Sequence, residues 1–237
     1  HERDIESLVC RDRNHPSVIL WSTGNEVEDQ YHPESGMARH LTEVVHRFDN
    51  TRPVTFGASY PSKSAMNGTE LQVDVHGMNY AAGVYGGPYF YGEFLNKEGH
   101  EYLSGYSSES SSTMSSRGEY FPRRFHVSSY DLNEPGWGGL PDQEFAALDR
   151  YPGICGEFVW TGFDYLGEPT PYNSDNSVLL NHVAALSEEE MEQQKKALED
   201  IEKNRPTSRS SYFGIVDLAG FPKDRYYCYK SYWRPDV

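Results

Sequence analysis

Apolar and polar positions along this chain switch repeatedly between the period of a strand and that of a helix. Ser17–Trp21 is a short apolar run with Pro16 before it, and it breaks at Ser22-Thr23-Gly24 to end on Asn25-Glu26. Such a run predicts a strand covered on both faces, as in a parallel α/β sheet. Upstream, Ile5, Leu8 and Val9 share one face of a helix over 3–12. Downstream, Met37, Leu41, Val44, Val45 and Phe48 recur at spacings of four and three, predicting a helix over 34–50 that Thr51-Arg52-Pro53 stops. Further strands are predicted at 54–56, at 73–80 and near 104, then a helix at 142–150 and a strand at 154–160. Strands alternating with helices imply βαβ units. The five strands are too few to close a (β/α)8 barrel, which needs roughly 250 residues in full. The prediction is the last five β/α units of a TIM barrel, one partial domain over 1–237 with a charged helical insertion at 176–206.

Composition narrows the partners. The net charge of -15 argues against nucleic acid, whose phosphates call for a basic surface. No run of 18 apolar residues is present, so no membrane span is expected. Three scattered cysteines make neither a disulfide framework nor a metal cluster, and Cys10 and Cys155 read as small hydrophobes. The 18 tyrosines suit a cleft that stacks on sugar rings as well as plain packing. The chain starts at His1 rather than Met, as a piece of something longer would, so the lack of a leader says nothing about export.

The chemistry is concentrated at strand ends. Glu26 and Glu109 each follow a predicted strand, and a retaining glycosidase needs two carboxyls about 5–5.5 Å apart across the sugar. One protonates the leaving oxygen and the other attacks the anomeric carbon. Asn25 would face the ring beside Glu26, Tyr80 would donate its hydroxyl to Glu109, and Trp160 would floor the sugar. Plainer readings stand beside these. Glu26 also fits a helix N-terminal charge, and Glu109 a loop residue in a low-complexity serine stretch. Tyr80 and Trp160 fit packing aromatics, and His76 a hydrogen-bonded structural histidine. Glu157, on an otherwise apolar strand, needs a partner such as Arg117.

At these residues the chain resembles a family. RNHPSVILWSTGNEVE is similar to the acid/base motif of glycoside hydrolase family 2, the β-galactosidase, β-glucuronidase and β-mannosidase group. SSESSSTMSSRGEY resembles the nucleophile region of its bacterial β-galactosidases. GEFVWTGFDYLGEPTPYN and SRSSYFGIVDLAGFPKDRYYCYKSYWRPD resemble the last barrel strand and the barrel end. The resemblance implies Glu26 as general acid/base, Glu109 as nucleophile, and Asn25, Tyr80 and Trp160 as substrate-binding residues. By the same resemblance His76 and Arg117 would support them, and Glu157, from its place on an apolar strand, is expected as a further supporting group. It also implies β-sandwich domains and three barrel strands ahead of this segment, and magnesium near the acid/base in some members, although no metal ligand is assigned here. The Asn-x-Lys motif that holds a uronate in the family's β-glucuronidases is not found, which favours a neutral sugar, galactose first.

The expected activity is that of a retaining exo-β-galactosidase acting by double displacement on a terminal β-galactoside. The mechanism needs Glu26 protonated and Glu109 ionised at the outset. Two alternatives come from other classes: a catalytically silent or sugar-binding barrel piece, and a β-glucuronidase, β-mannosidase or other retaining (β/α)8 hydrolase. The expected partners are a carbohydrate and the rest of the same polypeptide or a complementary chain, with homo-oligomerisation as a further expectation. The resemblance alone suggests a periplasmic or secreted bacterial setting.

Overall fold

The computed structural model describes residues 1–83, 87, 89–121, 127–166, 187–189, 192, 193, 196, 210–234 and 236. Its strands are β1 (Trp21–Asn25), β2 (Val54–Ala58), β3 (Val75–Asn79), β4 (Ser104–Ser111) and β5 (Ile154–Trp160). They form one sheet in the order β1-β2-β3-β4-β5, and β1 to β4 pair in parallel. Helices α1 (Glu2–Asp12), α2 (Met37–Phe48), α3 (Pro61–Ser64), α4 (Phe90–Asn96) and α5 (Pro141–Arg150) connect them, and α6 (Asp224–Trp233) ends the chain. This is the β/α alternation of a partial TIM barrel. The 176–206 insertion lies outside the described residues, apart from 187–189, 192, 193 and 196. No helix among the described residues is long and apolar enough to cross a membrane.

Two compact units divide the chain. The first holds 1–110 and 146–158. There α1 and α2 cover the start of the sheet, with Val9, Trp21, Val45 and Val54 buried together against Ile5 and Phe48. A second cluster joins Met78 of β3 to Phe90, Tyr91 and Phe94 of α4 and to Leu148 of α5. All five residues of β2 are buried, as expected of a central parallel strand.

Two sequence expectations are corrected here. The first strand is Trp21–Asn25 rather than Ser17–Trp21. Ile19 is 66% exposed, and the Val18 carbonyl accepts the Arg52 Nε–H at 2.7 Å. Pairing with β2, Trp21 opposite Val54 and Asn25 opposite Gly57, fixes the strand four residues further on than apolarity suggests. Cys10 and Cys155 are exposed. Each sits next to the residue that takes the buried position, Val9 or Ile154.

The second unit holds 111–145 and 159–237. Two buried cations organise it. Lys223 Nζ reaches Asp164 Oδ2 at 2.7 Å and the Ser115 carbonyl at 2.7 Å. Arg225 donates to the carbonyls of Thr113, Phe213 and Gly214. Helix α6 has no apolar stripe in sequence, because tyrosines occur all round it. The periodicity therefore did not reveal it.

Asp49 ties the end of α2 to β1. It accepts the Trp21 indole N–H at 3.0 Å, the Thr51 hydroxyl at 2.6 Å and amide at 2.9 Å, and Arg52 Nη1 at 2.7 Å. The Thr51 hydroxyl and these other donors hold its carboxyl well below the ordinary carboxylate range. A depressed folded-state pKa gives stability that is full above the unfolded value and lost as pH falls. Asp49→Ala is expected to cost about 2 kcal/mol in denaturant unfolding near pH 7, with a smaller difference from the parent below about pH 3.

Candidate active site

Three strand ends in the first unit bring the site together. β1 ends on Asn25 and hands the chain to Glu26, β3 ends on Asn79 before Tyr80, and β4 carries Ser108 and Glu109. The β1–β2 ladder shifts between Ser22 and Asn25, and the β3–β4 ladder between Met78 and Asn79, so that Asn79 pairs with Glu109. Such irregularities re-aim side chains at strand ends. Glu26 and Tyr80 both have left-handed backbone, φ 52° and 58°, which non-glycine residues adopt at a cost. Their amides anchor them: Glu26 N–H to the Gly57 carbonyl at 2.8 Å and Tyr80 N–H to the Glu109 carbonyl at 2.7 Å.

Asn79 is the hub. Its Nδ2 donates to Asn25 Oδ1 at 3.1 Å and to Glu26 Oε1 at 2.9 Å, and its side chain is among the donors that lower the Glu109 pKa. Ser108 Oγ donates to Asn79 Oδ1 at 2.6 Å. That bond settles which end of the amide faces the carboxyls. Two glycines leave room for it. A Cβ on Gly57 would stand 2.4 Å from Asn25 Oδ1 and 3.1 Å from Asn79 Oδ1, and one on Gly77 would meet Ser108 Oγ at 2.8 Å.

Glu109 is half-buried, and its pKa is pushed up to about 7. Burial is the first cause and the charge of Glu26 adds to it. Side-chain hydrogen bonds from Tyr80, Asn25 and Asn79 pull the other way without cancelling it. This differs from the sequence expectation of a nucleophile ionised at rest. In a substrate-free site the carboxyl is desolvated with no cation among its described partners, so it gives up its proton only around neutral pH.

Other expected residues lie elsewhere. His76 is on the opposite face of β3 from Gly77, between Phe56 and Phe94. Neither ring nitrogen has a hydrogen-bond partner, which corrects the reading of a hydrogen-bonded histidine. Burial lowers its pKa to about 4 and keeps it neutral. Glu157 accepts the Ser110 hydroxyl at 2.5 Å. Arg117, offered as its partner, instead bonds Asp217 at 2.6 Å and lies over Phe221. Asp217 answers it because the 217–221 turn fixes that carboxylate with two backbone N–H bonds. Trp160 belongs to the second unit. It packs with Met114, Val127 and Phe213 and gives its indole N–H to the Tyr165 hydroxyl at 3.2 Å.

Sequence reasoning missed Asn79, Ser108, Gly57 and Gly77. Asn79 carried a signal, since it directly precedes Tyr80 at the same strand end. As for magnesium, the Glu26 carboxylate meets an amide donor, which a cation would have to displace. Among the described residues the donor set for a metal lies elsewhere, at His1, Glu2 and His40. The described residues beside Glu26 therefore do not fit a magnesium site of their own.

The sequence profile of the glycosyl hydrolases family 2 TIM barrel domain matches residues 1–101. The β-galactosidase BoGH2A of Bacteroides ovatus is 31% identical to this chain over 283 aligned positions, which cover 98% of the chain and 29% of that protein. Residues 1–101 thus match the barrel domain of glycosyl hydrolase family 2, and the likeness to a member of that family runs along nearly the whole chain. A putative β-glucuronidase of Formosa agariphila is 24% identical, over 98% of the chain and 21% of that protein. By structure, the family 2 β-galacturonidase of Eisenbergiella tayi, solved with galacturonate, superimposes with a TM-score of 0.66 at 16% identity, over all of this chain and 37% of that one. The chain thus spans between about a fifth and two fifths of the length of these relatives.

Two outcomes follow for stability. Gly57→Ala is expected to cost about 1–3 kcal/mol, because its Cβ meets the Asn25 and Asn79 oxygens. An urea titration of the two proteins checks it. Because Glu109 has a raised folded-state pKa, the native protein holds a proton that the unfolded chain releases near 4.5, so the parent loses stability as pH rises from there to about 7. Glu109→Gln removes that loss. Its melting temperature relative to the parent is expected to climb across this window and level off above it.

Proposed function

We propose that this chain is the acid/base-and-nucleophile segment of a retaining exo-β-glycosidase, with Glu109 as nucleophile and Glu26 as general acid/base. The observation that carries this is the position of Asn79, whose amide bonds Glu26 Oε1 at 2.9 Å and whose backbone pairs with Glu109 across the β3–β4 ladder. The charge of Glu26 is felt at Glu109, and such closeness of two carboxyls suits the retaining arrangement. Glu109 attacks the anomeric carbon while Glu26 protonates the glycosidic oxygen. Glu26 then takes a proton from the water that releases the sugar from Glu109. The raised pKa of Glu109 adds a condition: the proton the carboxyl pair holds must sit on Glu26, not Glu109, when attack begins. Asn25 is placed to bond the sugar beside Glu26, and Tyr80 steadies Glu109.

The substrate is a terminal β-galactoside in this reading. The name of the Bacteroides ovatus relative and the missing Asn-x-Lys motif favour it. A β-uronide is the second reading, and the names of the Formosa agariphila and Eisenbergiella tayi relatives favour that one.

The test uses the full-length protein with 4-nitrophenyl β-D-galactoside and β-D-glucuronide. Glu109→Gly is expected to lower turnover by at least about 10³-fold, and azide should restore it as the α-glycosyl azide, the product of one inversion. Glu26→Ala with azide should give the β-glycosyl azide instead, by attack on the glycosyl-enzyme. Swapped anomers would exchange the two roles, and full turnover by either variant would remove that residue from catalysis. The faster of the two sugars decides between galactoside and uronide.

A further inference from the structure

On the outer, helical side of the first unit, three side chains converge where α1 and α2 pack. His1 Nε2 lies 3.1 Å from His40 Nε2, and His40 Nε2 lies 3.4 Å from Glu2 Oε1. All three donor atoms lie within 4.8 Å of one another. The imidazole rings stand at 80° with centroids 5.3 Å apart, so both Nε2 atoms point to one spot rather than stacking. The second oxygen of Glu2 is taken: Arg47 Nη2 reaches Glu2 Oε2 at 3.1 Å, which leaves Oε1 turned toward His40.

We propose that His1, His40 and Glu2 form a binding site for a late first-row divalent ion, zinc in the first instance, unrelated to the carboxyl pair at the strand ends. Ligands about 2.0–2.1 Å from a tetrahedral zinc stand roughly 3.3 Å apart, so the observed separations need little movement to accept the ion. Two imidazoles and a carboxylate select zinc, cobalt, nickel or copper over magnesium and calcium, which prefer oxygen ligands. Three protein ligands leave a fourth position for water. Arg47 holds the carboxylate from outside, in the role that outer partners play at metal centres. Without an ion, one proton between the two Nε2 atoms and the 3.4 Å approach of His40 Nε2 to Glu2 Oε1 are what hold the cluster, so a cation displaces only contacts of modest value. The site links the N-terminal turn of α1 to the first turns of α2, and α1 leads into β1, which ends at Glu26. Bound metal would therefore brace the two helices behind that strand.

The untagged full-length protein, stripped with a chelator, is titrated with zinc chloride by calorimetry and, separately, with cobalt(II), whose four-coordinate complexes absorb in the visible. The expected result is one ion per chain, a visible cobalt band, and a rise of about 5 °C in melting temperature with excess zinc but not with magnesium. His40→Ala should weaken zinc at least about tenfold and abolish the band, while its metal-free melting temperature stays at the parent value. Glu2→Gln should weaken zinc less. No heat and no band from the folded parent would overturn the site. Retention of both in a His1→Ala/His40→Ala double variant would overturn it too, as would an equal thermal shift with magnesium.

Discussion

The site depends on a shortage of donors. The Asn79 amide nitrogen has two protons and faces three acceptors, on Asn25, Glu26 and Glu109. Ser108 occupies the other end of the amide and prevents it from turning over. One side chain therefore sets the positions of two carboxyls that are 83 positions apart in sequence. The shortage also explains the electrostatics: hydrogen bonds that would fully hold an ionised Glu109 are divided between neighbours, so burial and Glu26 prevail.

This arrangement requires backbone of unusual shape. Asn25, Asn79 and Ser108 approach each other only because Gly57 and Gly77 carry no side chain. Both carboxyl-bearing ladders are irregular at their ends, and Glu26 and Tyr80 sit in left-handed conformations that their amide bonds pin in place. Strain of this kind persists only where the surroundings over-determine it. Here the rigid parallel sheet does so, with β2 buried throughout.

Much of this was legible in sequence, and the losses have physical reasons. Period-3.6 spacing located α2, and Pro53 with the apolar runs located β2 and β5 within a few residues. Asn25-Glu26 stood out because an amide and a carboxylate close a predicted strand at its C-terminal end, where α/β barrels keep their chemistry. The serine stretch was ambiguous by composition. Its burial resolves it, since Ser107, Ser110 and Ser112 are inside and give the small side chains that a crowded strand end needs. The start of β1 was misplaced because hydrophobicity marks what is buried, whereas pairing register marks what is strand. Asn79 was missed because its importance lies in three bonds to residues far away in sequence. His76 was misread because an imidazole between two aromatic rings looks the same in sequence as one with a hydrogen-bond partner.

The charges elsewhere in the first unit make the contrast sharper. Asp49 receives four donor bonds. Glu70 is fully buried, and burial alone would raise it. Lys97 at 2.5 Å, His100 at 3.0 Å and the Gly68 amide at 2.7 Å outweigh burial and lower its pKa. These two carboxylates are matched to enough donors to stay charged and serve packing between helices and sheet. Glu109, on the same sheet, is offered amides and a phenol but no cation among its recorded partners. A protein able to satisfy Asp49 and Glu70 completely leaves Glu109 incompletely satisfied. An under-satisfied carboxylate is the more basic and the more nucleophilic one once its proton has moved, and a fully paired one would be inert. The placement of unmet hydrogen-bonding demand therefore separates the carboxylates that hold this fold from Glu109, the nucleophile of the proposed reading.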